Sequence, residues 1–440
     1  MEIAVRIAQL LVSLSLLVIC HEFGHFITAK LFKCRVEKFY LFFDPWFSLF
    51  KFKKGETEYG VGWLPLGGYV KIAGMVDESL DTAGLSSTPQ PWEFRSKPAW
   101  QRLIIMLAGV FVNFILAMFI YAMVAYSWGS QYLPTENIKY GIAVDSLGQS
   151  IGLKDGDMIK LVNGEKCTDY NKILGLLLLN DPKSLTVTRN GKDTTLYLTD
   201  EHIAGILQAE TSFMTPRFPF QIKEFAENSP AQKAGFQVDD KIKKINGKEC
   251  EFFTDVKKFL EANAGKTADF SVLRGEETLT ITMQIPQDGL LKVINKNPGD
   301  FFEFETVQYG FFESFPVGIK RGFDKIGEYL KQWKLIFNPD TQAYKSVGSF
   351  ISMAKIFPGS WDWYAFWNLT ALFSIMLAVL NVFPIPGLDG GHALFTVVEM
   401  ITGKQPSLKF QETAQKIGMI ILLAIMVFAI GNDFIRHVFN

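Results

Sequence analysis

The sequence predicts a multi-span α-helical membrane protein with two inserted β-rich domains and a membrane-associated β-hairpin. Three observations lead to this fold class: four long runs nearly free of charge lie towards the chain ends, the middle resembles soluble protein, and that middle repeats once. The 48% hydrophobic and 14% aromatic content exceeds a soluble average. Because the excess lies outside the middle, a membrane protein with a soluble insertion fits best.

Each apolar run is long enough to cross a bilayer. The predicted spans lie in residues 1–32, 98–129, 361–402 and 410–440. A secretory signal peptide is the alternative for the first run, since Arg6 precedes an apolar stretch of suitable length. No small-residue cleavage site follows that stretch, so we expect the first run to be a membrane span.

The distribution of positive charge predicts the orientation of the spans. The loop 33–97 between the first two spans carries nine basic residues: Lys33, Arg35, Lys38, Lys51, Lys53, Lys54, Lys71, Arg95 and Lys97. Because short loops rich in Lys and Arg remain in the cytoplasm, this loop should face inwards. The termini and the long middle segment then lie outside, and the loop with Lys404 and Lys409 lies inside.

Net charge and cysteine content exclude two other classes of protein. The formal net charge is −1 and no basic stripe is present, which argues against a nucleic-acid partner. The four cysteines are too few and too scattered for a disulfide framework or a zinc knuckle.

The soluble middle contains an internal duplication with an offset of 83 residues. Gly152-Leu153, Asp157-Met158-Ile159 and Asn163-Gly164 recur as Gly235-Phe236, Asp240-Lys241-Ile242 and Asn246-Gly247, and Cys167 recurs as Cys250. This spacing predicts tandem copies of a small domain, and the β-branched runs between turn residues favour β-rich modules.

The two copies resemble PDZ domains, and we predict PDZ-like domains over 130–205 and 206–288. The second copy carries the resemblance, through Asn228-Ser229-Pro230-Ala231 and the following Ala234-Gly235, whereas the first has Gln149-Ser150-Ile151-Gly152 at that place. The resemblance implies binding of extended peptides by strand addition. A role as spacers or size filters is the alternative.

The first span carries His21-Glu22-Phe23-Gly24-His25, an H-E-x-x-H pattern. On a helix the two histidines lie one turn apart on one face, where both can bind one zinc ion. Glu22 lies beside them and can accept a proton from the water that zinc activates. Charged groups inside a span cost about 2.5 to 3.5 kcal/mol each, so we expect this cluster to bind metal. A histidine pair facing a water-filled vestibule is the alternative.

A third zinc ligand is predicted far along the chain, at Asp389. Pro384 and Pro386 interrupt the third span, and Asp389 follows them beside two glycines. Such backbone is tolerated at membrane depth only where it lines a cavity or is buried in protein. A helix-ending turn capped by Asp389 is the alternative, and His392 is a rival ligand.

Together, the H-E-x-x-H pattern and Leu388-Asp389-Gly390 resemble the site-2 protease family of intramembrane zinc metalloproteases. The resemblance covers nearly the whole chain and is to the bacterial tandem-PDZ type, which cleaves anti-sigma factors. It implies a Zn²⁺ cofactor held by His21, His25 and Asp389, with Glu22 as catalytic base.

The same resemblance implies the partners and the location of the protein. The substrates would be transmembrane segments of single-span membrane proteins, cut in regulated intramembrane proteolysis or in signal-peptide clearance. The chain would lie in the bacterial inner membrane with its PDZ-like domains on the periplasmic side. Its site would lie in the lipid bilayer, towards the cytoplasmic side.

Three further features of the sequence point to substrate binding. Asn381 to Pro384 resembles the family's N-x-x-P step, where the asparagine is implicated in holding the substrate backbone. Gly109 to Asn113-Phe114 resembles its G-P-x-x-N-F pattern, with Val110 in place of the proline, and suggests Asn113 as a substrate contact. Residues 56–74 predict a glycine-bent β-hairpin that resembles the family's membrane-reentrant loop. Gly67, Gly68 and Tyr69 would receive the substrate there, and an ordinary cytoplasmic hairpin is the alternative.

The linker 289–360 predicts an amphipathic helix. Its apolar face comprises Ile319, Phe323, Ile326, Leu330, Trp333 and Phe337. This helix would lie on the outer membrane surface, cover the substrate entrance, or pack against the modules.

A non-catalytic membrane scaffold that binds exported peptides is the alternative function for the chain. A structural zinc site would not require Glu22 and is usually closed at its fourth position, so the intact residue set favours the protease.

Overall fold

The computed structural model describes residues 2–75, 88–209 and 212–438. Parts of the predicted segments 1–32, 33–97, 206–288 and 410–440 lie outside these residues. The described helices are α1 (Glu2–Leu31), α2 (Ala99–Trp128), α3 (Ser146–Ser150), α4 (Ile173–Leu179), α5 (Asp200–Gln208), α6 (Pro230–Lys233), α7 (Phe253–Ala262), α8 (Phe311–Ile336), α9 (Phe350–Ile356), α10 (Trp363–Val382), α11 (Asp389–Thr402) and α12 (Leu408–Val438).

The strands are short except for the first two. They are β1 (Val36–Lys54), β2 (Thr57–Ile72), β3 (Ser130–Tyr132), β4 (Ile142–Val144), β5 (Met158–Val162), β6 (Ser184–Arg189), β7 (Lys192–Tyr197), β8 (Met214–Pro216), β9 (Ile222–Phe225), β10 (Lys241–Ile245), β11 (Lys248–Glu249), β12 (Thr267–Arg274), β13 (Glu277–Gln284), β14 (Val293–Asn295) and β15 (Glu305–Val307). The chain forms two compact units: one comprises 1–129, 308–334 and 344–440, and the other comprises 130–307 and 335–343.

The first unit contains four helices long and apolar enough to cross a membrane, which confirms the predicted multi-span membrane protein. These helices are Glu2–Leu31, Ala99–Trp128, Trp363–Val382 and Lys409–Ile435. Polar side chains join the spans in their buried interior: Thr370 donates to Ser13 at 3.0 Å, and Ser374 donates to the Asn113 carbonyl at 2.8 Å. Hydrogen bonds of this kind hold membrane helices in a fixed register.

β1 and β2 form one sheet, but not through the hairpin predicted over 56–74. Residues 57–62 pair with 48–54 across a turn at 55–56, and they also pair with 38–41. Residues 64–72 pair with 36–43 instead of with 57–62, so the predicted pairing is wrong. The glycines in this stretch are not at the turn. Gly62 is required because a Cβ there would lie 2.1 Å from the Phe43 carbonyl oxygen.

α8 contacts α2 within the first unit. A Cβ on Gly318 would lie 2.5 Å from backbone atoms of both Met118 and Ala122, so the two helices are in direct backbone contact. Further along α8, Ile326 and Tyr329 join the core around Tyr121. The predicted helix is therefore present, and Ile326 of its predicted apolar face packs against this core, whereas Ile319, Phe323, Leu330 and Phe337 are exposed.

The second unit consists of two modules, each built around its own sheet and core. The strand order is β5-β6-β7 in the first sheet and β11-β10-β12-β13 in the second. Each module holds one buried ion pair, Asp157 with Arg189 and Asp240 with Arg274. Since Asp157 and Asp240 are related by the sequence repeat, these pairs are equivalent. The β-rich insertion is thus present, and its assignment to PDZ domains stays a prediction.

Candidate metal centre

The first unit, which contains the four apolar helices, is called the membrane unit below. The helix α1 presents its histidines to the interior of this unit. His21 and His25 are both buried, and their Nε2 atoms lie 3.2 Å apart, as i, i+4 spacing on one helical face predicts. They face α2 where each helix has a glycine, Gly24 on α1 and Gly109 on α2. A Cβ on Gly24 would lie 2.6 Å from the Ala108 carbonyl oxygen, and a Cβ on Gly109 would lie 2.4 Å from His25 Nε2.

Asp389 reaches the same point from the far end of the chain. The helix α10 ends at Val382, the proline-containing segment follows, and α11 begins at Asp389 itself. Within this break Gly387 adopts a φ of +97°, which an L side chain rarely tolerates. The reversal places Asp389 Oδ2 at 3.1 Å from His21 Nε2 and 3.2 Å from His25 Nε2.

The three donor atoms match the face of a tetrahedral zinc site. Zinc bonds nitrogen and oxygen ligands at about 2.0 to 2.2 Å, so two ligands of one tetrahedron stand roughly 3.3 to 3.5 Å apart. The observed separations of 3.1 to 3.2 Å are close to that range. Among the described residues Asp389 Oδ2 is buried and accepts no hydrogen bond, which suits an atom whose lone pairs bind a metal.

Each histidine has a polar group beside its ring. His25 Nδ1 is 2.8 Å from the carbonyl oxygen of Ile105, so Nδ1 carries the proton and Nε2 is free to bind metal. Two amides flank His21, with Asn113 Nδ2 at 3.5 Å from Nδ1 and Asn381 Nδ2 at 3.4 Å from Nε2. Ile105 was not predicted, because a backbone carbonyl carries no chemical signal in a sequence. Gly109 was noted only as part of a family pattern, and its contact with the histidines was not predicted.

The metal centre opens into a cavity of about 910 Å³ within the membrane unit. The predicted site residues that line it are His21, Glu22, His25, Gly67, Gly68, Tyr69, Asn381 and Asp389. His392 also lines it, one turn after Asp389, but is not part of the described cluster of possible metal ligands. Met419 and Leu422 of α12 lie on its wall and were not predicted. Asn113 is fully buried and is not among the lining residues.

Segment 64–72 passes directly over α1. A Cβ on Gly68 would lie 2.7 Å from Val18 Cγ1 and 3.3 Å from Glu22 Cγ, so only glycine lets the strand approach this closely. Tyr69 donates to Asp44 Oδ1 at 2.8 Å. Burial, together with Asp44, raises the pKa of Tyr69 well above its usual range, and the phenol stays neutral.

A four-span bundle that brings two buried histidines and an aspartate within 3.2 Å of one another, with a glutamate lining the same cavity, defines a membrane-embedded metallopeptidase. The chain belongs to Peptidase family M50, whose family model matches residues 9–425. It is accordingly a zinc-dependent intramembrane metalloprotease, as the sequence predicted.

Several relatives match over nearly their full length. The chain is 29% identical to the regulator of sigma E protease of Haemophilus influenzae and 30% identical to the regulator of sigma-E protease RseP of Escherichia coli, each over 98% of both chains. It is also 29% identical to a protein of Vibrio cholerae named as a zinc metalloprotease, over 97% of both chains.

Proposed function

We propose that this protease cuts transmembrane segments of single-span membrane proteins at a zinc site formed by His21, His25 and Asp389. The observation that carries the proposal is the convergence of these three donor atoms to within 3.2 Å inside the membrane unit. When bound there, zinc supplies Lewis-acid polarisation of the scissile carbonyl and lowers the pKa of a water ligand towards about 7.

Glu22 is the proposed general base. Its position next to His21 on the cavity wall allows its carboxylate to take a proton from the attacking water. The same carboxyl group then donates that proton to the leaving amide nitrogen, so that the peptide bond breaks with release of a neutral amine. Neither step requires a further acid, because one carboxyl group accepts and returns the proton.

The substrate must be extended before it is cut, because a helix hides its carbonyl groups in hydrogen bonds. Segment 64–72 pairs with 36–43 on one side, and its other side is not paired with any described strand. We infer that the substrate adds to this free edge, next to Gly67, Gly68 and Tyr69. Asn381, which lines the same cavity beside His21, would hold the neighbouring substrate backbone.

The relatives named as regulators of sigma E protease favour anti-sigma factors as substrates, and clearance of signal peptides is equally compatible with the site. We place the chain in the bacterial inner membrane, with loop 33–97 on the cytoplasmic side and the two modules on the periplasmic side. The modules act there as PDZ-like binders of peptides or as filters of substrate size.

The first test compares the purified protein with its Glu22→Gln variant on a single-span test substrate in detergent, with zinc assayed in both. We expect equal zinc content and a rate roughly 10² to 10⁴-fold lower in the variant, the range typical for loss of a general base. Glu56→Gln, a matched exchange at an exposed carboxylate paired with Lys30, should leave the rate unchanged. Zinc in both proteins, with equal cleavage, would refute the role of Glu22.

A further inference from the structure

Asn113 lies at the metal centre but apart from the substrate cavity. Its side chain is 0% exposed and lies on α2, where its backbone carbonyl is held by Ser374 of α10. Its amide nitrogen is 3.5 Å from His21 Nδ1, and its Oδ1 has no hydrogen-bond partner among the described residues. An amide oxygen that is fully buried without a hydrogen-bond partner costs free energy. Its presence in a folded protein therefore calls for an explanation.

The chemistry of His21 requires an acceptor at this place. If Nε2 binds metal as a lone-pair donor, the proton of the neutral ring must be on Nδ1, and a buried N–H needs a partner. For His25 that partner is the carbonyl of Ile105, at 2.8 Å. For His21 the amide of Asn113 is the polar group adjacent to Nδ1.

Rotation of the Asn113 amide by 180° exchanges its oxygen and nitrogen without changing its shape. Oδ1 then faces His21 Nδ1 and can accept its proton, while the amide nitrogen takes the buried position that Oδ1 held. A separation of 3.5 Å between heavy atoms is at the long limit of a hydrogen bond, and a shift of a few tenths of an ångström brings it into the usual range.

We propose that Asn113 is a positioning residue that accepts the Nδ1–H of His21 and so fixes the ring with Nε2 towards the metal. This inference rests on the proposed zinc site and gives Asn113 a role different from substrate contact. Asn381 provides the contrast, because it lies beside Nε2 of the same ring and lines the substrate cavity.

The experiment measures zinc affinity by competition with a chelator, alongside KM and kcat, in wild type, Asn113→Leu, Asn113→Asp and Asn381→Leu. Asn113→Leu keeps the branching of the side chain but removes the acceptor. We expect zinc affinity to fall roughly 10 to 100-fold, the usual effect of losing a partner of a ligating histidine. Asn113→Asp restores an acceptor and should bind zinc at least as tightly as wild type, with unchanged KM. Asn381→Leu should keep zinc and raise KM.

The possible results distinguish failure of the positioning role of Asn113 from failure of the zinc site itself. Full zinc affinity in Asn113→Leu with a raised KM would overturn the positioning role in favour of substrate contact. If Asn113→Leu does not fold, Asn113→Asp decides, since loss of zinc from this acceptor variant would also overturn the inference. Absence of zinc from the wild-type protein would refute the metal site itself, which is a different result from either.

Discussion

At the scale of single residues, the metal centre depends on the absence of side chains as much as on the ligands. His21 and His25 can face α2 only because Gly24 and Gly109 let the two helices approach in backbone contact. Small residues permit such crossings between membrane helices. The position of the histidines relative to Asp389 is therefore set by a glycine that binds nothing.

We expect Gly109→Ala to reduce both zinc affinity and cleavage. The added methyl group would lie 2.4 Å from His25 Nε2 and 2.7 Å from His21 Cε1, so the rings must move. Crowding of this kind typically costs about 1 to 3 kcal/mol. Zinc titration and the rate of cleavage measure the effect.

Gly327→Ala is the matched control, since Gly327 is also helical and a Cβ there meets nothing within 4 Å. Its zinc affinity should equal that of wild type. Equal affinities in all three proteins would show that helix contact at Gly109 does not position the histidines.

Some features of the metal centre could be predicted from the sequence, and others could not. His21, Glu22, His25 and Asp389 were predicted because their residue types and spacing are typical of zinc chemistry. The structure brings donor atoms of the two histidines and Asp389 within 3.2 Å of one another, and Glu22 lines the same cavity. The pairing of His21 with Asn113 was not predicted, since it depends on the rotation of α1 against α2. No local pattern encodes that rotation.

At the scale of elements, the sheet formed by β1 and β2 supplies the proposed substrate edge. Segment 64–72 runs past Glu22 and lines the cavity, whereas segment 48–54 forms the opposite edge of the sheet. Exposed aromatic residues lie along that opposite edge, with Trp46 90% exposed at its start. One edge therefore faces the active site and the other edge faces away from it.

We expect disulfide cross-links between the substrate and a cysteine at Leu64, which lines the cavity. The experiment uses the Glu22→Gln protein with its native cysteines replaced, and substrates with single cysteines at successive positions. Because side chains of an added strand alternate between faces, cross-linking should peak at every second position.

Phe52→Cys on the opposite edge provides the control, as Phe52 is half exposed and pairs with Tyr59. It should form no cross-links with the substrate. Uniform cross-linking at Leu64→Cys, without alternation, would contradict strand addition.

The repeated modules permit a reciprocal test of their buried ion pairs. Arg274 donates to both oxygens of Asp240 at 2.8 Å, and Arg189 donates to both oxygens of Asp157 at 2.7 to 2.8 Å. Both aspartates are almost fully buried. Loss of either carboxylate leaves its arginine without these charged hydrogen bonds, and each such bond is worth about 1.5 to 3 kcal/mol.

Cys167 and Cys250 report on the two modules separately, because each is buried in its own module core. Burial raises the pKa of the Cys250 thiol to about 12, so it alkylates slowly at pH 8 while the module is folded. We expect Asp240→Asn to accelerate alkylation of Cys250 roughly tenfold or more without affecting Cys167. Asp157→Asn should do the reverse. Equal acceleration of both thiols by either variant would mean that the modules unfold together.

At the scale of the whole molecule, the active site joins residues more than 360 positions apart within one membrane unit. The segment 130–307 of the second unit begins and ends on paired strands, with Ser130 of β3 opposite Val307 of β15. An insertion whose ends adjoin can be added to a membrane bundle without separating its helices. The bundle thus keeps one core although 178 residues, 130–307, interrupt it.

The proposed orientation is tested by labelling with a membrane-impermeant thiol reagent in a background without native cysteines. Lys192→Cys, exposed in the first module, should be labelled in cells whose inner membrane is intact. Lys404→Cys, exposed between α11 and α12, should be labelled only after that membrane is permeabilised. The opposite pattern would invert the arrangement argued from the basic loops.

The sequence by itself determined the four spans, the duplicated insertion, the metal-binding residue types and the family. These follow from hydropathy, repetition and spacing, which are properties of the chain read in order. Only the tertiary structure decided that segment 64–72 pairs with 36–43, that α8 contacts α2 at Gly318, and that Asn113 faces His21. Each depends on which surfaces of distant elements meet, and that choice is made by packing over the whole core.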